Sequence, residues 1–278
     1  MLLFSEFDSD KTKKMLTIFQ SRPLIDSSSA DWIFDTFEWV LQNFDSDEFF
    51  HRSRLVQPTN DFFPGNVDSV HAKAENIFQH TVRHAGLRHW PFRLQSPEQF
   101  ENIPAVPLHF AAVVRDSTDN TLPALISEHA LHLTYNPQQT LKPEDLSSSF
   151  AHWIAQHLVA QSQQFPPKGV DYLAEGTEIL AVVMGFGVLL SNSAYTFRGG
   201  CGSCYNGQAN RQATLSEDET VFALALYCLL KEIPDAHATS FLKKHLRSSY
   251  KRARKQIAKQ PEALERLVKY RRDSSLCH

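Results

Sequence analysis

"ILAVVMGFGVLL", Ile179–Leu190, is the longest apolar run in the chain, and its reading decides the architecture. Twelve residues fall short of the roughly 20 that an α-helix needs to cross a bilayer. The run is therefore expected as the buried centre of a core helix over residues 170–193. Upstream, Pro143, Glu144 and Asp145 suit the first turn of a second helix running to about Gln161. Proline fits that turn and the two acids face the positive end of the helix dipole. Downstream, "SEDETVFALALYCLLKEI" opens with Ser216 and Glu219 at capping-box spacing, which predicts a third.

Further out, "SADWIFDTFEWVLQNF" spaces Trp32, Ile33, Phe37, Val40, Leu41 and Phe44 with helical periodicity behind Ser29 or Asp31 as N-cap. "VDSVHAKAENIFQHTVRHAGL" puts Val70, Ala74, Ile77, Phe78 and Val82 on one stripe that ends at Gly86. "SRLVQPTNDFFPG" reads as a short strand and a turn region. Between Ile103 and Leu133, "VPLHFAAVV" and "PALISEHALHLTY" are strand-like on either side of the turn-like "RDSTDNTLP", so a small antiparallel sheet is expected there. Basic helices broken at Pro261 fill the C-terminal part. The fold class that follows is α+β, mostly helical, in a single globular domain over 1–278: an N-terminal helical part (1–100), a core (104–235) and basic C-terminal helices (236–278).

The net charge of −3 gives no overall field favouring nucleic acid. Its distribution is uneven: residues 1–50 hold ten acids against four bases, and residues 241–278 hold twelve bases against three acids. The two ends are expected to attract each other. The run "KKHLRSSYKRARKQ" has the charge to touch phosphates, but Leu242, Leu246, Tyr250 and Ala253 form a stripe for docking on the body of the protein, so a solvated face is the reading and nucleic acid is not expected as a partner. Four cysteines in 278 residues make no disulfide framework, and the N-terminus lacks the basic and long apolar regions of a signal peptide. A cytoplasmic protein without a membrane span is expected.

Three stretches carry a resemblance. "SSFAHWIAQHLV", "TEILAVVMGFGVLLSNSAY" and "ATLSEDETVFALALYCLLKEIP" are similar, in order and character, to the helices of an uncharacterised bacterial family of zincin-like proteins. In that family a strand leads into an H-E-x-x-H helix and a second helix follows. The resemblance implies a zincin-like core, with His152 on the first metal histidine, Ala174 or Glu175 near the downstream carboxylate and Glu178 near a further acidic position. Trp153 stands at the general base and Gln156 at the second histidine. His157 does not replace Gln156, because five residues advance about 500° and leave it roughly 140° around the helix from His152. Without a Glu at position 153, nothing is placed to take a proton from a metal-bound water.

The expected function is therefore non-catalytic: a binding or structural protein on a degenerate zinc-metallohydrolase scaffold, with a protein or small molecule as partner. His152, Gln156 and Glu178 would then form a buried polar cluster. One alternative is a metal-dependent hydrolase with a rearranged site, in which His152, Glu175 and Glu178 hold zinc with help from His129 or His132. Another is a zinc or redox role for the C-x-x-C pair Cys201 and Cys204 in a glycine-rich loop. His80 and His84, four apart on a helix, have the spacing of a metal pair but no carboxylate-rich partner nearby.

Overall fold

The structure, a computed structural model, describes residues 22–101, 115, 130–198, 209 and 211–274. Helix α1 (Ser27–Asn43) begins earlier than its spacing suggested, because Asp26, not Ser29 or Asp31, is the N-cap and accepts the Ser29 amide. Its apolar face carries Trp32, Ile33, Phe37, Val40 and Leu41, all buried. Helix α2 (Val70–His84) starts at Ser69 and ends where Gly86, at φ 73°, takes the left-handed conformation. The Gly86 and Leu87 amides there turn back to the Arg83 and Val82 carbonyls.

Helix α3 (Pro143–Ser162) has Pro143, Glu144 and Asp145 in its first turn. The apolar run then forms α4 (Leu173–Ala181), a π-helical turn (Val182–Phe186) and α5 (Gly187–Arg198). By length and composition Val170–Tyr195 is long and apolar enough to cross a membrane, but 83% of its most apolar window is buried inside the protein. It is surrounded by α1, α3 and α6 (Glu217–Leu230), and α6 opens with the full Ser216–Glu219 capping box.

The break within this run has a local cause. Gly185 sits at φ 105°, and a Cβ there would lie 2.2 Å from the Arg54 carbonyl oxygen. The extended segment at Leu55–Gln57 crosses at that point, and the Val56 amide donates to the Gly185 carbonyl at 2.9 Å. The expected strand near Leu55 is therefore extended chain held to a helix kink instead of to a sheet. Two residues on, Gly187 lets α5 approach α6, where a Cβ would stand 2.9 Å from Leu224 Cδ1.

The sheet is small and parallel, which corrects the antiparallel expectation. β1 (Phe92–Leu94) pairs with β2 (Leu131–Leu133) in the register Phe92↔Leu131, Arg93↔His132, Leu94↔Leu133. The reading had joined two strands across a short turn within 103–133, and most of that segment lies outside the described residues. β2 takes its partner from "WPFRLQ", and the long connection between the two strands is what a parallel pair requires.

After the short α7 (Asp235–Thr239), helices α8 (Leu246–Ile257) and α9 (Pro261–Ser274) divide at Pro261 as expected. Leu246, Tyr250, Ala253 and Ile257 of α8 pack inward against α6. The oppositely charged ends do meet: Arg266 of α9 contacts Asp35 at 2.6 Å and Glu38 at 3.1 Å on α1. Gln256 of α8 ties down the Leu24 amide and the Ile25 carbonyl.

Candidate functional site

The residues singled out around His152 fall into a buried polar knot. Glu178 of α4 pairs with Arg211 at 2.5 Å, and both side chains are almost wholly inaccessible. The second Glu178 oxygen accepts the Thr214 and Leu215 amides at 3.2 and 3.0 Å. Arg211 also donates to the Leu190 carbonyl and to Ser193 Oγ, and Ser193 Oγ donates to Ser148 Oγ on α3. One ion pair thus joins α3, α4, α5 and the segment leading into α6.

Burial disfavours charge on both members, pushing the Glu178 carboxyl up and the Arg211 guanidinium down. Each offsets the other, and the two amide donors add to the carboxylate's support. His152 lies beside this cation with Nδ1 lacking a hydrogen-bond partner. Burial, and then Arg211, hold its imidazole at about 3, so it is neutral at ordinary pH.

Of the expected buried cluster, His152 and Glu178 are indeed interior, whereas Gln156 is exposed and the partner of Glu178 is Arg211. The guanidinium and two amides occupy the Glu178 lone pairs that a metal would use, and a fixed positive charge next to His152 repels a divalent ion. Glu175 is half-buried on the same helix, with Oε2 unpartnered. Among the described residues no three His, Cys, Asp or Glu side chains gather as a metal-holding group. Cys201, Cys204 and His129 lie outside the described residues, while His132 is on β2.

His80 and His84 have a different use. Their rings stack at 6.3 Å on α2, and His84 Nε2 bonds the Phe62 carbonyl at 2.8 Å. Four residues before His80, Asn76 donates to the Pro64 carbonyl at 3.0 Å. This face of α2 therefore fixes the loop Pro58–Val67, in which Gly65 takes φ 117° and a Cβ would lie 3.2 Å from the Asn76 side-chain amide.

Between that loop, the start of α2 and the first turn of α3 lies a cleft of about 280 Å³. Phe63, Ile77 and Leu189 give it an apolar lining, and Lys73, Glu144 and Ser147 give it a polar one. Lys73 is half-buried and its ammonium has no hydrogen-bond or ion-pair partner among the described residues. Glu144 is held from behind: Oε1 accepts from Asn192 Nδ2 of α5 at 2.5 Å. Asn192 is itself fixed, donating to the Phe241 carbonyl and accepting the Lys243 amide.

Burial raises the Glu144 carboxyl above the usual carboxylate range, against the Asn192 hydrogen bond and the Lys243 charge. Its second oxygen has no partner among the described residues. One cleft thus carries an uncommitted cation and an uncommitted carboxylate oxygen above an apolar floor. Sequence reading had used Glu144 only as a dipole partner and had not singled out Lys73, Asn192 or Arg211. The available signal was a lone Asn in an apolar helix, "GVLLSNSAY", since a buried amide must find partners.

Lys244, Lys251, Lys255 and Lys259 lie on or beside the outward side of α8 and have no hydrogen-bond or ion-pair partner among the described residues; no apolar side chain of that helix is exposed there. No protein-family model, curated protein or solved structure matches the chain.

Proposed function

We propose that the chain is a non-catalytic binding protein that takes a small molecule in the cleft between the Pro58–Val67 loop, α2 and α3. The observation that carries this reading is that Glu144 and Lys73 line one concave, partly apolar site, each with a polar atom uncommitted among the described residues. Pockets that bind small molecules have this composition: an apolar lining with a few fixed polar groups that orient the ligand. At about 280 Å³ the cleft suits a small ligand. Glu144 is rigid because Asn192 and the 241–243 segment brace it, and the loop is rigid because α2 staples it at two points.

In this reading the zincin-like arrangement of helices is retained as a scaffold, and the helix carrying His152 supplies stability. The rearranged hydrolase reading would need Glu178 to give up Arg211 and two amides. A thermal-shift screen of small polar and amphipathic compounds tests the proposal, comparing wild type with Asn66→Trp, a bulky substitution on the exposed rim. Compounds that raise the wild-type melting temperature and leave Asn66→Trp unmoved support it. A screen in which no compound distinguishes the two proteins contradicts it.

A further inference from the structure

The cleft carries two opposite charges and an apolar surface, and that combination restricts what it holds. We propose, resting on the cleft being the binding site, that its ligand is a small zwitterion with an apolar side chain, of the α-amino acid class. Glu144 Oε2 receives the ligand's ammonium, Lys73 Nζ receives its carboxylate, and the accessible apolar lining, Phe63 and Val67 above buried Ile77 and Leu189, receives the side chain.

The ligand's charges must match those of the cleft. A ligand with only a positive charge leaves the half-buried Lys73 uncompensated, and one with only a negative charge leaves Glu144 so. Each mismatch strands a partly desolvated charge beside an ion that it does not pair. A neutral ligand strands both. A zwitterion satisfies both at once, and among the described residues neither Glu144 Oε2 nor Lys73 Nζ has a partner to displace. A further cation that acts on Glu144, Lys243, is turned away, its ammonium donating to the Asn192 carbonyl at 2.5 Å. Its charge favours the carboxylate form of Glu144, against the effect of burial, without occupying the oxygen offered to the ligand. The acid at the next position, Asp145, does not line the cleft.

The size is consistent. A cleft of this volume, below the usual range of roughly 300–1,000 Å³ for ligand pockets, accommodates a free amino acid and not a long peptide. Polar groups on the rim, Thr59 and Asn60 among them, remain available to the carboxylate or ammonium.

Isothermal titration of the full chain with four probes tests this: leucine, its N-acetyl derivative, its methyl ester and the neutral 3-methylbutanamide. The expected result is that leucine binds, that each blocked analogue binds about tenfold or more weakly, and that Lys73→Met and Glu144→Gln each weaken leucine by a similar factor. Both variants change partly exposed side chains, and circular dichroism of each confirms the fold. Equal binding of leucine and the amide, or binding of the amide alone, would overturn the zwitterion while leaving the cleft as a binding site. No binding of any probe, in a protein that also fails the thermal-shift comparison, would remove both readings.

Discussion

At the scale of single residues, the polar interior is set by Arg211. It neutralises Glu178 and reaches two further acceptors, so removing one partner leaves a buried charge with nothing to offset it. Arg211→Met is expected to cost about 3–5 kcal/mol of unfolding free energy in urea denaturation. The double change Arg211→Met with Glu178→Leu should recover part of that loss, since breaking one half of a buried pair costs more than replacing both. His152 gives a pH dependence. Its folded-state value is depressed from 6.5 to about 3, so the unfolded chain binds the extra proton between those limits. Stability therefore falls as pH drops below about 6.5, by roughly 2 kcal/mol at pH 5 for this one group. His157, held down to about 4 by burial, acts in the same direction. Denaturant midpoints measured from pH 7.5 to 5 should show a shallower decline in His152→Leu than in wild type. An identical decline in both would show that His152 is not buried neutral.

At the scale of elements, Gly185 decides how the apolar run is built. Gly185→Ala forces a left-handed φ on a residue with a Cβ and drives that atom into the Arg54 carbonyl, a backbone group that cannot swing aside. A loss of about 3 kcal/mol or more, or failure to fold, is expected in thermal unfolding. Gly169→Ala is the control, because its φ is also positive but nothing lies within 4 Å of the added methyl. It should cost markedly less. The helices were legible in the sequence because their signals are local: Ser216 with Glu219, Pro143 before two acids, Gly86 after a periodic stripe. The kink was not, because Gly185 reads as one more glycine in an apolar segment until the Arg54–Val56 chain is seen crossing it. The sheet was misread for a related reason. Composition placed β2 but cannot rank partners at long range, and β1 is only three residues long, too short to show a strand pattern of its own.

At the scale of the whole molecule, charge segregation along the chain becomes contact between its ends. Arg266 bridges α9 to Asp35 and Glu38, but these groups are partly exposed and screened, so Arg266→Ala should cost no more than about 1 kcal/mol, and less in high salt. The site follows a different logic. The histidine helix drew the eye because it is patterned like a metal helix, whereas Lys73 and Glu144 are far apart in sequence and each is ordinary where it stands. Only the packing of the Pro58–Val67 loop against α2 and α3 makes them neighbours of one cleft. On the proposal above, the chain's binding chemistry lies there and not around His152. Amide chemical shifts of ¹⁵N-labelled protein, recorded as leucine is added, test this most directly. Shifts concentrated at residues 58–67, 73–77 and 144–147 are the predicted result; shifts concentrated at 150–157 and 175–178, or none at saturating leucine, would contradict it.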